Sequence, residues 1–254
     1  MKPDPFLPTP PVESGLSQPA SKALGLLLVV EALLSFAPIA ILGPAIGWPA
    51  SLGNPAAQQL AAVHAAPAAV NVGYAVYLLY SVLVAPVMIG LALRCLGRSP
   101  GWALISVVAL ASLSTLARAV GILRWMTVMP VLATAHAGAD TAARPGIELL
   151  FSALTRWGGG IGELLGVSLF MGLALATLCG AAWRSGGMPR SLALGGLVSA
   201  ALLLGLFLPA LRLPAVVPVA VAVTVLTLWM LAAGAWCYLV PKMRSPASPK
   251  PGTM

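Results

Sequence analysis

Four charged residues stand inside long apolar runs of this chain: Glu31, Arg118, Arg124 and Glu163. A charge at the centre of a bilayer costs roughly 2.5–3.5 kcal/mol on insertion scales. Each of these residues therefore needs a partner, a wet cavity or a function. At 1.5 Å of rise per residue, Arg124 and Glu163 fall about 33 Å and about 30 Å above the inner ends of their runs. That shared depth predicts an Arg124–Glu163 pair joining the third and fourth spans. Snorkelling of Arg124 to the headgroups and a ligand or ion site are the alternatives. Arg118 lies about 24 Å up its run and about 120° around the helix from Arg124, so one carboxylate does not serve both. Glu31, about 12 Å up the first run, reaches Arg118 only if that span is shifted or tilted. Otherwise it reads as a neutral, protonated carboxyl, or as the proton-coupling carboxylate of a transporter.

A second group lies on the second run, where Asn71, Tyr74, Tyr77 and Tyr80 recur every three residues and mark one broad helical face. This face reads as an interfacial belt with interhelical hydrogen bonds, or as the wall of a polar cavity opening outward. Gly158-Gly-Gly-Ile-Gly-Glu-Leu-Leu-Gly166 lacks the Lys-Ser/Thr ending and the register of a phosphate loop. Gly162 and Gly166 instead form a small-xxx-small pair for close helix packing, and Gly158–Gly160 read as a hinge. His64 and His136 fall in outer loops; His136 and Asp140 have i,i+4 spacing, but two groups do not make a zinc site. Cys95, Cys179 and Cys237 are scattered and form no CxxC. No metal or cofactor is expected, and no nucleophile–base set or protease motif is present.

The elements that must hold these residues are membrane helices. Of 254 residues, 59% are apolar and 8% charged, too few charges to cover a water-soluble surface and too apolar for disorder. The net charge of +8 is spread beside apolar segments rather than gathered into a stripe, which excludes nucleic acid as a partner and leaves the lipid bilayer. A helix spanning the hydrocarbon core needs about 20 apolar residues. Six stretches qualify: 23–42, 70–93, 102–123, 160–183, 191–211 and 214–240. The third is expected to turn by Pro130, and a short link at Arg212–Pro214 joins the last two. Residues 1–22 and 241–254 read as disordered, Pro-rich tails. The outer connections carry a short helix around Ala56–Ala66 and an amphipathic interfacial helix over Ile147–Trp157.

With the N-terminus in the cytoplasm, Lys2, Lys22, Arg94, Arg98, Arg184, Arg190, Lys242, Arg244 and Lys250 are all inside. Arg118, Arg124, Arg144, Arg156 and Arg212 lie in or beyond the bilayer. This nine-to-five bias follows the positive-inside rule and places both termini in the cytoplasm. Trp48, Trp102, Trp125, Trp157 and Trp183 fall near span ends, as an aromatic belt does. The two halves do not match as an inverted repeat.

Two motifs carry a resemblance. Leu123-Arg-Trp-Met-Thr-Val-Met-Pro-Val-Leu-Ala133 and, further on, Gly160-Ile-Gly-Glu-Leu-Leu-Gly166 resemble, in this order, a bacterial multi-pass membrane family called domain of unknown function 4386. The similarity covers most of Lys22–Val240. In that family the second motif is expected to read Gly-Glu-His-Leu-Gly; Leu164 stands here at the His position. The resemblance implies a bacterial cytoplasmic-membrane protein and places Arg124, Trp125, Pro130, Glu163 and Gly166 in one constellation. The sequence thus predicts an all-α, six-helix membrane bundle without enzymatic activity, held by an Arg124–Glu163 clamp. The alternatives are a small transporter or ligand-binding protein with an outward-facing cavity lined by Arg118, Arg124, Glu163, Tyr74, Tyr77 and Tyr80, and a membrane-embedded enzyme.

Overall fold

The computed structural model describes residues 16–97 and 101–240. Among these the chain is helical, with turns between helices and no strand. Lys2, Arg98, Lys242, Arg244 and Lys250, most of the N-terminal tail and all of the C-terminal tail lie outside the described residues.

Helix α1 runs over Gln18–Leu34. It starts five residues before the expected span because Ser17 caps it, accepting a hydrogen bond from the Ala20 amide, and a proline sits in its first turn. The run expected as one span breaks after Leu34, and α2 (Ala37–Ile46) follows with Pro38 in its first turn. Gly47, at φ +73°, ends α2. Helix α3 covers Ala56–Ala65, and α4 covers Pro67–Leu96.

Helix α5, Trp102–Gly138, overturns the expected turn at Pro130. Its 37 residues make a rod about 55 Å long, well beyond the hydrocarbon thickness. The proline is absorbed inside it, with the Thr134 hydroxyl donating to the Pro130 carbonyl. His136 is consequently helical rather than in a loop.

Helix α6 (Arg144–Gly159) passes without interruption into a π-wound segment, Gly160–Met171, and then into α7 (Gly172–Ser185). The glycines at 158–160 do not make a hinge; the helix runs straight through them. Helix α8 (Arg190–Gly205) follows, and α9 (Val219–Leu239) ends the described chain. The connection between α8 and α9 is longer than the expected Arg212–Pro214 link, because Pro209, Pro214 and Pro218 hold residues 206–218 out of regular α-helix.

Five helical stretches are long and apolar enough to cross a membrane: Gln18–Ile46, Pro67–Leu96, Trp102–Gly138, Arg144–Ser185 and Val219–Leu239. The protein is a multi-pass helical membrane protein. Helix α8 is apolar but has 16 residues, short of a full span. Helix α4 packs along α5, α5 along the π segment, α1 along α9, and α7 along α8. The buried apolar residues form two cores. One, built around Leu28, Leu91, Leu175, Leu178 and Leu203, ties α1, α4, α7, α8 and α9 together. The other, around Leu42, Leu60, Tyr74, Trp125 and Phe151, joins α2, α3 and α6 to α4 and α5.

Arg94, which the sequence offers only as an orientation signal, closes the end of the first core. It is 6% exposed. One guanidinium nitrogen donates to the Ser21 hydroxyl and the other to the Val240 carbonyl at 3.2 Å. Its plane lies 4.3 Å from the centre of the Trp236 ring, while Ser21 donates to the Cys237 carbonyl at 3.1 Å. The start of α1 and the ends of α4 and α9 therefore meet at one end of the bundle. Replacing Arg94 by Ala is expected to destabilise the protein by about 3 kcal/mol, because charged hydrogen bonds are lost and a carbonyl is orphaned. Thermal unfolding in mild detergent checks this, with exposed Arg184→Ala as a near-silent control.

Candidate functional site

The site lies at the opposite end, where α4, α5 and the α6–π rod converge. Glycine makes the convergence close. A Cβ added to Gly121 would stand 2.9 Å from both the Gly158 carbonyl oxygen and the Gly162 Cα, and one added to Gly166 would stand 2.7 Å from Arg118 Cγ. The Ser114 hydroxyl donates to the Gly166 carbonyl at 2.7 Å across this contact. Gly158 faces the Arg124 side chain so closely that any Cβ would strike the guanidinium.

A cavity of about 50 Å³ opens beside this contact, with room for a few waters or a small polar group. Arg118, Arg124, Glu163, Tyr74 and Tyr77 all line it, together with Trp48 and Trp125. Arg118 is 6% exposed, and its guanidinium lies 4.6 Å from the centre of the Tyr80 ring. Arg124 is half-buried; its Nη1 donates to the Gly121 carbonyl at 2.7 Å, and its Nε is buried without a hydrogen-bond partner. Glu163 is exposed and stands at the rim. The Tyr77 hydroxyl feels the charges of Arg118, Glu163 and Arg124 together.

The walls are aromatic. Tyr74 stacks on Trp125 with ring centres 5.0 Å apart and planes within 4° of parallel. Trp48 meets Tyr77 edge-on at 5.8 Å, and Phe151 meets Trp125 edge-on at 6.0 Å. Trp48 and Trp125 are thus pocket residues; Trp102, Trp157 and Trp183 keep the exposed positions of a belt. The Tyr74 hydroxyl is buried and unpartnered. Asn71 is exposed, and Tyr80 lies behind Arg118 against a second, smaller cavity.

The expected Arg124–Glu163 ion pair is not formed. The two share the cavity and act on each other electrostatically, but Arg124 is turned onto the Gly121 carbonyl and the face of Gly158. The close contact of a basic with an acidic side chain among the described residues is elsewhere, a hydrogen bond between His136 Nε2 and Glu148 Oε1 at 2.9 Å. Asp140, expected opposite His136, caps the Ala142 and Ala143 amides instead.

One family matches the chain over residues 23–234: Domain of unknown function (DUF4386). The chain belongs to the DUF4386 family. No curated protein and no solved structure matches it. In this DUF4386 chain the residues of the two motifs, Arg124–Trp125 and Gly162–Gly166, flank the same cavity.

Glu31 does not join the pocket. It is 0% exposed, and neither carboxyl oxygen has a hydrogen-bond partner. The charge acting on it is Arg118.

The π winding has no counterpart in the sequence reading. Residues 160–171 bond five apart, and the Ser168 hydroxyl donates to the Glu163 carbonyl at 3.0 Å. This wider helix presents Gly162, Glu163 and Val167 to the pocket. Gly166→Ala is expected to cost about 1–3 kcal/mol by overpacking against Arg118. Gly160→Ala, with open space around its Cβ, is expected to change stability by less than about 1 kcal/mol. Parallel denaturant titrations in detergent compare the two.

Proposed function

We propose that this DUF4386 chain is a six-span protein of the bacterial cytoplasmic membrane, with both termini cytoplasmic. Its outward-facing pocket binds a small polar ligand. One observation carries the reading: two arginines, a glutamate and two tyrosines from three separate helical stretches line a single cavity without pairing off. A structural role alone favours direct bonding between opposite charges in a low-dielectric site. Charges held apart by packing are instead ready for a third party. The aromatic rings supply the apolar surface and fixed geometry that ligand pockets use. The reading is of a binding protein, and not of a catalyst.

The six-span topology rests on alternation of the helices. Counting the helical runs in turn puts Lys22, Arg184 and Arg190 on the same side as the ends gathered around Arg94, and Gly187, between the last two, packs against Cys95, which favours that side as cytoplasmic. On this reading α8 and the residues after it together make the fifth span.

A second reading has support from Arg124. Its side chain fills the space left by Gly158, as a structural clamp between α5 and α6 does, with Glu163 attracting it at longer range. A charge-swap cycle separates the two: Arg124→Glu, Glu163→Arg and both together. The pocket reading expects each single variant to fold, with a melting temperature within a few degrees of the parent. Collapse of both singles, with rescue in the double, supports the clamp instead.

The facing of the pocket has its own test. Leu52 is exposed and lines the cavity. Leu52→Cys is expected to react with an impermeant maleimide added outside intact cells, and Arg190→Cys only after permeabilisation. The three native cysteines are buried and give the low background this needs. Reversed labelling rejects an outward-facing pocket.

A further inference from the structure

The charge inventory of the pocket narrows its ligand. Among the residues that line the cavity, two guanidinium groups, Arg118 and Arg124, stand with a single carboxylate, Glu163; Glu31 interacts with Arg118 from outside the lining. Arg118 is buried, and no carboxylate among the described residues forms an ion pair with it. Arg124 keeps one nitrogen on the Gly121 carbonyl and leaves its buried Nε unpartnered. The buried Tyr74 hydroxyl is likewise unpartnered beside it. Buried polar atoms are almost always bonded, and of those left unpartnered these two belong to residues that line the cavity, where a ligand oxygen can meet them. Glu163 stands at the rim, and the Trp48 and Tyr77 rings meet edge-on within the same cavity.

A simple anion satisfies the arginines and repels Glu163. A simple cation satisfies Glu163 and repels the arginines. The complement of two guanidiniums and one carboxylate is a group near two negative charges joined to one positive charge. A phosphate monoester carries about 1.5 to 2 negative charges at neutral pH and suits guanidinium forks. An ammonium suits both a carboxylate and an aromatic face. Building on the pocket reading above, we infer that the cavity binds an aminoalkyl phosphate, a phosphoethanolamine-type group. Its phosphate lies toward Arg118 and Arg124, and its ammonium toward Glu163 and the Trp48–Tyr77 corner. The group belongs to a soluble monoester, since the diester phosphate of a phospholipid head carries one negative charge and leaves one guanidinium unmatched.

The test is a calorimetric titration of the full chain in phosphatidylglycerol nanodiscs. Phosphoethanolamine is compared with glycerol phosphate, which lacks the ammonium, and with ethanolamine, which lacks the phosphate. Phosphoethanolamine is expected to bind about tenfold more tightly than either. Glu163→Gln is expected to erase its advantage over glycerol phosphate, and Arg124→Gln to weaken both phosphate esters. Nanodiscs of phosphatidylethanolamine then test the diester head of the lipid. The affinity for phosphoethanolamine is expected to be the same in both lipids; loss of its binding in phosphatidylethanolamine shows that a singly charged diester occupies the cavity and overturns the monoester.

Equal binding of phosphoethanolamine and glycerol phosphate overturns the inference and leaves a plain anion pocket. No binding of any probe to the folded chain also overturns it. The probe comparison uses the unaltered protein, so it decides even where a variant does not fold. The pocket reading itself fails separately, through rescue in the charge-swap double.

Discussion

Everything at the pocket end depends on how closely α5 can approach the face of Gly158, Gly162 and Gly166. Lipid tails are as apolar as leucine, so membrane helices gain little from burying apolar side chains against each other; they gain from close packing and from hydrogen bonds. Here the glycines remove the side chains that would keep the backbones apart, and Gly121 does the same from the α5 side. The Ser114 hydroxyl then reaches the Gly166 carbonyl directly. With the backbones in contact, the long side chains at the seam have no room within it. Arg118 is pushed over the Tyr80 ring and Arg124 over the surface of Gly158. The cavity is what remains between those displaced arginines and the tyrosines of α4.

The π winding of residues 160–171 follows from the same seam. An α-helix turns about 100° per residue, so glycines four apart drift around its axis. A wider winding changes that drift and shifts which side chains face α5. In this stretch it keeps Gly162 against Gly121 and Gly166 against Arg118, and it brings Glu163 to the rim. Two carbonyls of this segment also accept from hydroxyls, Glu163 from Ser168 within the segment and Gly166 from Ser114 across the seam. Isolated π turns recur at functional positions in helices because they re-aim side chains in this way.

The membrane class and the all-helical architecture could be read from the sequence, because hydropathy and helical rise act on single residues and single segments. What could not be read depends on two segments at once. Depth alone brings Arg124 level with Glu163, but whether they bond is decided by Gly121 and Gly158, which offer Arg124 a carbonyl and a flat surface. Arg94 looks like a topology signal until α1 and α9 close over it. Pro130 looks like a stop signal, yet the surrounding helices hold the rod together through it, as packed membrane helices do for prolines. Trp125 looks like a belt residue until Tyr74 and Phe151 enclose it.

The two ends of the molecule are built on opposite uses of arginine. Arg94 places two guanidinium nitrogens on a hydroxyl and a carbonyl and lies over an indole face, and it joins the helices that carry the chain's first and last described turns. Arg118 is as deeply buried, yet it lies over the Tyr80 ring and lines two cavities. The bonds of Arg94 run to α1 and to the end of α9, so its charge is used to tie three helices to one another. Arg118 sits instead where packed helices leave open space, so its charge borders what can enter that space. In a low-dielectric interior the first arrangement holds the fold together and the second leaves a charge available to a ligand.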